Sequence, residues 1–347
     1  MKSISRLLVI ALAALVGITS LSASEPIKVV QYTNTVNPND PAHLSNGIII
    51  AGKAGSVRAF STLNLTSSSI MACAGCADFY KQTLGNDINV YLMVVPSAAA
   101  YYTPNVAKSW SRSPADVLNS LYASIKSDVK IVDVYSALAP HANEDIFLRT
   151  DHHWSPLGGY YAAKEFARVA GVTFKDLSNY DAVTINNYVG SMYNYSKDIA
   201  VKNSPEKFVY YKPRNISYNT TYITIRLGSG NVPIGENRPV QGEYFIHTPG
   251  NGAYCTFMGG DTKITQVRTS VGNGRRLLIV KDSFGNTLPG YLFYGFEEIH
   301  VVDFRYFPRN LKTYIQSNNI TDVIAECNIS FACSAKPMAS YKRLLTK

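Results

Sequence analysis

Three polar side chains in two short blocks of the sequence could together carry out acyl chemistry. Asp151 and His153 belong to the polar block 151–154, and Ser283 belongs to the block 281–286. A serine hydroxyl becomes a nucleophile when an imidazole takes its proton and a carboxylate orients that imidazole. The two blocks therefore predict a Ser283–His153–Asp151 relay that makes or breaks an ester without a metal or another cofactor.

The position of Ser283 suits a nucleophile. It follows the apolar run 277–280, which predicts a strand, and Gly285 and Asn286 after it allow a sharp turn into a helix. Catalytic groups in open α/β sheets gather at the carboxyl ends of strands, where backbone N–H groups can also face a developing oxyanion. The alternative is that Ser283 only caps the next helix.

Asp151 and His153 are two residues apart, which places both side chains on one face of an extended segment. Asp151 can then accept a hydrogen bond from one nitrogen of His153 and leave the other nitrogen for Ser283. A metal site made of Asp151, His152 and His153 is the competing interpretation. Adjacent histidines on an extended chain point in opposite directions, so the pattern favours no metal and a structural role for His152.

Strand and helix patterns alternate along much of the chain. Apolar runs predict strands, and serine followed by proline predicts the start of a helix at Ser113 and again at Ser155, the second ending near Gly171. The predicted strands are 47–52, 88–95, 129–135, 277–281, 299–304 and 322–326, with further helices at about 286–295 and 309–318.

Strands that alternate with helices predict an α/β fold with a mainly parallel sheet covered on both faces. Between about 175 and 270 the composition changes to Asn, Tyr, Thr, Gly and Pro, and 221–226 alternates like an exposed strand. We interpret residues 25–347 as one α/β domain with a β-rich insertion at about 175–270. Tyrosine is common, with 24 residues, and such rings can stack on sugars as well as pack in a core.

The first residues have the pattern of an export signal. Lys2 and Arg6 precede the apolar run 7–16, and small residues at 22–24 offer a cleavage site. The apolar run is too short for a membrane span, which needs ~20 residues. We therefore expect residues 1–24 to be a signal peptide and the protein to be exported, periplasmic or extracellular, with an uncleaved anchor as the alternative.

Net charge bears on the kind of partner, and the cysteines bear on possible disulfides. The formal charge is +9, and it falls to +7 without Lys2 and Arg6. These charges form no basic run, and the chain has no nucleic-acid-binding motif, so we expect no nucleic acid partner. Export permits disulfides among the five cysteines. Cys73 and Cys76 predict a local disulfide or plain packing, and Cys327 and Cys333 could also pair.

The two blocks also carry a family resemblance. Residues 149–158 resemble the signature of the DHHW protein family, and 281–284, 302–307 and 257–261 extend the similarity. The order of blocks is similar to the SGNH-hydrolase-like domains of bacterial alginate and exopolysaccharide O-acetylation proteins. The resemblance implies a flavodoxin-like, SGNH-like three-layer fold in permuted order, because the Asp-x-His element precedes the serine here.

The resemblance further implies a set of site residues. Asp151, His153 and Ser283 match its triad. Gly260 and the Ser283 backbone N–H are candidates for the oxyanion site. Arg305 and Trp154 are candidates for binding substrate, although Arg305 could equally form a surface ion pair.

These observations lead to two hypotheses from different classes. The first is an exported serine-dependent O-acetyltransferase or acetylesterase acting on cell-envelope or extracellular polysaccharide, with a membrane acyl-donor partner suggested by the family. The second is a carbohydrate-binding or assembly protein on the same scaffold with an idle triad. A distance within hydrogen-bond reach between Ser283 and His153 favours the first.

Overall fold

A computed structural model describes residues 28–29 and 36–347 of the chain. The strands in these residues are three to ten residues long. They are β1 (Ala42–Ser45), β2 (Ile48–Ala51), β3 (Arg58–Ser61), β4 (Asn89–Val95), β5 (Lys130–Val132), β6 (Tyr180–Tyr188), β7 (Glu206–Pro213), β8 (Tyr218–Leu227), β9 (Pro233–Glu236), β10 (Val240–Gly242), β11 (Lys263–Thr269), β12 (Arg276–Lys281), β13 (Glu298–Asp303) and β14 (Asp322–Asn328).

Helices lie between some of these strands and after the last one. The α-helices are α1 (Ser67–Leu84), α2 (Ala99–Tyr102), α3 (Pro114–Ala123), α4 (Val134–Leu138), α5 (Pro156–Ala170), α6 (Met192–Ser196), α7 (Ile199–Lys202), α8 (Pro289–Leu292), α9 (Leu311–Ser317), α10 (Ile329–Ala332) and α11 (Ala335–Thr346). Six short 3₁₀ segments accompany them in the described residues, at Asn105–Trp110, Ala139–His141, Leu177–Asn179, Ser229–Asn231, Gly250–Thr256 and Ser283–Thr287.

One nine-stranded sheet forms the centre of the protein, in the order β10-β8-β11-β13-β12-β14-β4-β5 with β9 also paired to β8. The five strands from β13 to β5 are parallel, whereas β11, β8, β9 and β10 join them antiparallel. The sheet is therefore mixed, and the expectation of a mainly parallel sheet holds only for its second half. The permuted flavodoxin-like arrangement stays a prediction.

Helices cover both faces of this sheet. On β4, Leu92 lines a cluster with Tyr80 of α1 and Tyr341 of α11. The preceding residue, Tyr91, meets Phe166 of α5 edge to face at 5.1 Å between ring centroids. Successive side chains of a strand lie on opposite faces, so α1 and α11 form one layer and α5 belongs to the other.

Several sequence predictions need correction. The strand at 47–52 is present as β2, but it pairs with β1 and β3 in a small separate antiparallel sheet. The strand at 129–135 ends at Val132, because Asp133 caps α4 by accepting a hydrogen bond from Ser136. The segment 221–226 is not an exposed strand, because β8 lies inside the large sheet between β10 and β11.

Both predicted Ser-Pro helix starts are confirmed. Ser113 and Ser155 accept hydrogen bonds from the backbone N–H groups of Asp116 and Gly158, and proline follows each serine as the first helical residue. Two long helices were not predicted, α1 and α11. The mostly small residues that begin α1 offer no clear apolar stripe, although six of its residues are buried.

The remaining sequence predictions concern the cysteines, the signal peptide and the division into domains. The five cysteines are free thiols, and Cys255 alone among them is exposed, so packing rather than a disulfide describes Cys73 and Cys76. The expected signal peptide, 1–24, lies outside the described residues. Within the described ranges, no helix is long and apolar enough to cross a membrane. The division into one domain with an insertion at about 175–270 stays a prediction.

Gly158 allows α5 to start close to the polar block, which gives a stability prediction. A Cβ at this position would lie 2.2 Å from the Ile146 carbonyl oxygen, a backbone atom that also accepts a hydrogen bond from Ser155. We expect Gly158→Ala to lower the free energy of unfolding by ~1–3 kcal/mol through overpacking. Thermal or urea unfolding measures it.

Gly272 provides the matched control, because a Cβ there would meet no atom within 4 Å. Gly272→Ala should change the unfolding free energy by no more than ~0.5 kcal/mol. Equal stability of the two variants would contradict the close approach at Gly158.

Candidate active site

The site lies at the edge of the large sheet where the parallel strands end. Strand β12 ends at Lys281 and leads directly to Ser283, and β13 beside it ends at Asp303 and leads to Arg305. The carboxyl ends of parallel strands meet at one edge, where open α/β sheets hold ligands. Ser283 therefore stands where the sequence analysis expected it.

A buried carboxylate shapes the turn that presents Ser283. Asp282 accepts hydrogen bonds from the Phe284 N–H at 2.9 Å and from the backbone and side-chain nitrogens of Asn328 at 2.7 and 2.6 Å. Asp282 is thus the cap of the 3₁₀ segment, and Ser283 is its first residue. The alternative that Ser283 serves as the cap is wrong, and its hydroxyl is left for another partner.

Glu206 holds the second polar block from β7. Its carboxylate accepts hydrogen bonds from the N–H groups of Arg149 and Thr150 at 2.8 and 2.7 Å and from the Thr150 hydroxyl at 2.6 Å. The chain from Asp151 to His153 is bent rather than extended. The Asp151 carboxylate accepts the His153 N–H at 3.0 Å, and this local contact replaces the extended geometry assumed from sequence.

The side chains of Asp151, His153 and Ser283 form one hydrogen-bonded chain. Asp151 Oδ1 lies 2.6 Å from His153 Nδ1, and His153 Nε2 lies 2.7 Å from Ser283 Oγ. An ionised carboxylate only accepts hydrogen bonds, so Nδ1 carries the proton of the neutral ring. Nε2 then accepts from the Ser283 hydroxyl, which is the arrangement that general-base activation needs.

The Asp151 carboxylate is buried but fully hydrogen-bonded. Its second oxygen accepts the Tyr188 hydroxyl at 3.0 Å and the Ser191 N–H at 2.8 Å. Burial alone would raise the pKa of Asp151, but His153 and the other donors hold that pKa well below its usual range. Asp151 is therefore ionised near neutral pH.

Two rings hold the imidazole of His153 in place. Tyr254 stacks on it with 3.8 Å between ring centroids and an interplanar angle of 8°, and His152 lies 3.7 Å from it at 37°. Two rings cannot both lie this close to the same face, so they lie on opposite faces. His153 is consequently restrained in the plane that joins Asp151 to Ser283.

His152 differs from its sequence-based interpretation. The expectation that the two imidazoles point apart is wrong, because the bend at 151–153 brings them together. His152 Nδ1 lies 2.6 Å from the Ser191 hydroxyl, and its side chain is 33% exposed. Burial and the neighbouring His153 lower the pKa of His152 to about 4, so it is neutral near pH 7.

The positions of Asp151, His152 and His153 also bear on the competing metal interpretation. One ligand atom from each of Asp151, His152 and His153 lies within 4.8 Å of the others. However, Asp151 Oδ1 and both Nδ1 atoms already take part in hydrogen bonds of 2.6 Å. A shared ion would break the link between His153 and Asp151, so the arrangement favours the relay.

The other residues proposed from sequence lie close by but are occupied. Trp154 is fully buried, and its indole N–H donates to the Phe284 carbonyl at 2.9 Å, so it ties the two polar blocks together. The Gly260 N–H donates to the Phe257 carbonyl at 3.3 Å. Trp154 therefore has no indole donor left for a substrate.

Arg305 belongs to a charge network beneath the site. Its guanidinium bonds Asp303 at 2.6 and 2.8 Å and Asp261 at 2.9 Å, and Lys281 bonds the same two carboxylates at 3.2 and 3.0 Å. Burial alone would raise the pKa of Asp261, but Lys281 and Arg305 hold that pKa well below its usual range. Asp261 also accepts the Asn286 amide at 2.8 Å, which anchors the turn after Ser283.

The relay opens into a cavity of about 250 Å³. Several of its lining residues were assigned no site role from sequence, namely Tyr188, Ser191, Asn194, Asn251, Tyr254, Cys255, Asp261 and Asn286. Most of them lie in the Asn- and Tyr-rich part of the chain, and the sequence around them has no helical or strand periodicity that would place them. Asp261 belongs to the block 257–261 that carries the family resemblance, which was the one usable signal.

The ionisation of His152 is testable by NMR. We expect its imidazole signals to titrate with a midpoint near pH 4, because burial and His153 disfavour the charged form. A His152→Gln variant assigns the signals by their disappearance. A midpoint at or above the ordinary histidine value of ~6.5 would contradict the packing described here.

The native protein then binds fewer protons at this residue than the unfolded chain once the pH falls below ~6.5. As the pH falls from ~6.5 to about 4, the contribution of His152 to the free energy of unfolding therefore decreases, and it is fully lost near pH 4. His152→Gln should weaken the decline in unfolding free energy between those two pH values, which urea unfolding at several pH values measures.

Comparisons with known proteins agree with this architecture. A curated relative, the probable alginate O-acetylase AlgJ of Pseudomonas putida, is 30% identical over 114 residues, which are 31% of this chain and 28% of that protein. The chain thus matches little more than a quarter of that relative's length.

Two solved structures resemble most of the chain. A DHHW family protein from Eubacterium siraeum is 36% identical with a TM-score of 0.79, covering 88% of this chain and 98% of its own. PatB1 of Bacillus cereus is 18% identical with a TM-score of 0.62, covering 87% and 98%, and so shares the fold. Residues 54–302, well over half of the chain, match the model of the DHHW protein family, and the chain therefore belongs to the DHHW family.

Proposed function

We propose that the protein is an exported serine-dependent O-acetyltransferase or acetylesterase that acts on cell-envelope or extracellular polysaccharide. The observation that carries the proposal is the continuous hydrogen-bonded chain from Asp151 through His153 to Ser283, with distances of 2.6 and 2.7 Å. The alginate O-acetylase named above supports polysaccharide acetylation as the kind of reaction. The same distances favour an enzyme over a binding protein with an idle triad.

The first half of the reaction acetylates the enzyme. His153 Nε2 takes the Ser283 proton as Oγ attacks the acetyl carbonyl carbon, and Asp151 stabilises the imidazolium that forms. His153 then gives this proton to the leaving group of the acetyl donor. The product is an acetyl ester on Ser283.

The oxyanion needs donors that the protein has not already used. Ser283 is the first residue of its 3₁₀ segment, and the N–H groups at the start of a helix have no partner within it. The Ser283 N–H therefore supports an oxyanion role. Gly260 is the weaker candidate, because its N–H donates to Phe257.

Removing the nucleophile or the base gives the direct test. We expect Ser283→Ala and His153→Ala each to lower kcat/KM for 4-nitrophenyl acetate by ~10²–10⁴-fold, because general-base activation is lost. Stopped-flow release of nitrophenolate measures the rate, and mass spectrometry of the quenched wild-type enzyme should find acetyl on the peptide that contains Ser283.

Ser270→Ala is the matched control, because Ser270 is exposed and its hydroxyl accepts only the Ser217 N–H in the described residues. It should keep the wild-type rate. Wild-type turnover by both triad variants, with circular dichroism unchanged, would rule out the serine mechanism.

Export is part of the proposal and has its own measurement. The basic start and apolar run of residues 2–16 and the small residues at 22–24 support a cleaved signal. Expression of the full chain in a bacterium should yield a mature protein that begins near Glu25 in the exported fraction. An intact N-terminus in the cytoplasmic fraction, found by intact-mass analysis, would contradict it.

A further inference from the structure

His152 presents an unused hydrogen-bonding atom beside the relay. Its Nδ1 is engaged by the Ser191 hydroxyl at 2.6 Å, whereas its Nε2 has no hydrogen-bond partner among the described residues. His152 lines the same cavity as Ser283. A neutral imidazole nitrogen either donates or accepts one hydrogen bond, so Nε2 can bind a hydroxyl group with either tautomer.

An exposed aromatic ring lies next to His152. Tyr195 meets the His152 ring edge to face with 5.9 Å between centroids, and 56% of the Tyr195 residue is exposed. Its hydroxyl has no hydrogen-bond partner in the part of the chain that the structure describes. Single exposed rings are common on protein surfaces, and the contact with His152 is what places this ring beside the relay.

The helix that carries Tyr195 is firmly held. The Met192 N–H at its start donates to the Thr150 carbonyl at 3.0 Å. The Ser196 carbonyl at its end accepts the side chains of Ser45 at 2.8 Å and Asn46 at 3.0 Å. Tyr195 is therefore fixed relative to the block that contains His152, and a ligand would not have to order it.

We propose that His152 and Tyr195 form the acceptor subsite, which binds one pyranose residue of a glycan beside the acetylated Ser283. The apolar C–H face of the sugar packs on the Tyr195 ring, and one of its hydroxyl groups bonds His152 Nε2. Rings with an apolar body suit sugars, which have both apolar faces and polar edges. This proposal rests on the proposed function, because it supplies the second substrate of that reaction.

The subsite completes a balanced second half-reaction. A neighbouring hydroxyl of the bound sugar gives its proton to His153 Nε2 as its oxygen attacks the acetyl carbonyl carbon. The bond from that carbon to Ser283 Oγ then breaks, and His153 returns the proton to Oγ. The products are an acetylated sugar and free Ser283, whereas water in place of the sugar gives acetate, so occupancy of the subsite decides between transfer and hydrolysis.

Binding can be tested without turnover. The probes are cellopentaose, chitopentaose and xylopentaose, titrated separately into the Ser283→Ala protein by calorimetry. We expect at least one of them to bind, Tyr195→Ala to weaken that binding about tenfold, and Tyr195→Phe to keep it because the ring remains. Ile199→Ala, an equally exposed position on the next helix, should bind as the parent does.

His152→Phe tests the hydrogen bond from Nε2, because phenylalanine keeps a ring against His153 but has no nitrogen. In the active protein with 4-nitrophenyl acetate and the bound oligosaccharide, the ratio of transfer to hydrolysis should fall about tenfold, as expected for one lost hydrogen bond. Thermal unfolding of each variant shows whether it is folded.

The outcomes separate the subsite from the reaction. Binding of none of the three probes overturns the subsite, and so does binding that Tyr195→Ala leaves unchanged or a transfer ratio that His152→Phe leaves unchanged. The triad test is independent of these results. If Tyr195 is needed for binding but Ser283→Ala keeps full aryl acetate turnover, the acceptor role is overturned together with the acyl-enzyme mechanism, and a glycan-binding site remains.

Discussion

The Asp151 carboxylate is the group whose burial organises the site. A buried charge is tolerated only when it is paired and hydrogen-bonded, and Asp151 meets that condition with donors from His153, Tyr188 and Ser191. These donors come from the polar block itself, from the end of β6 and from the segment before α6. Gly190 allows this approach, because a Cβ there would lie 2.3 Å from that of Asp151.

The large sheet positions Ser283, the other end of the hydrogen-bonded chain. Ser283 stands at the end of β12, a strand buried between β13 and β14, with helices on both faces of the sheet. The Trp154 indole N–H donates a hydrogen bond to the carbonyl of Phe284, the residue that follows Ser283. This hydrogen bond therefore joins the end of β12 directly to the loop that carries Asp151 and His153.

The local features of the fold were largely predictable, and the long-range ones were not. Ser113 and Ser155 begin helices as predicted, because capping by serine and a following proline act within one turn of chain. The apolar run of β2 was recognised as a strand but assigned to the wrong sheet. An apolar strand has to be buried, yet its sequence does not say against which partner. Helix α1 was not predicted, because its mostly small residues form no distinct apolar stripe, although six of them are buried.

By itself the sequence determined which residue types are present and predicted which of them could carry the chemistry. The family signature and the strand before Ser283 singled out Asp151, His153 and Ser283. Only the tertiary structure decided that His153 and Ser283, 130 residues apart, lie 2.7 Å from each other. It also decided that His152 stacks on His153 and that Tyr254 and Tyr195 join them. The physical reason is that turn and capping rules operate over a few residues, whereas the meeting of distant side chains depends on how the whole core and its buried charges are satisfied.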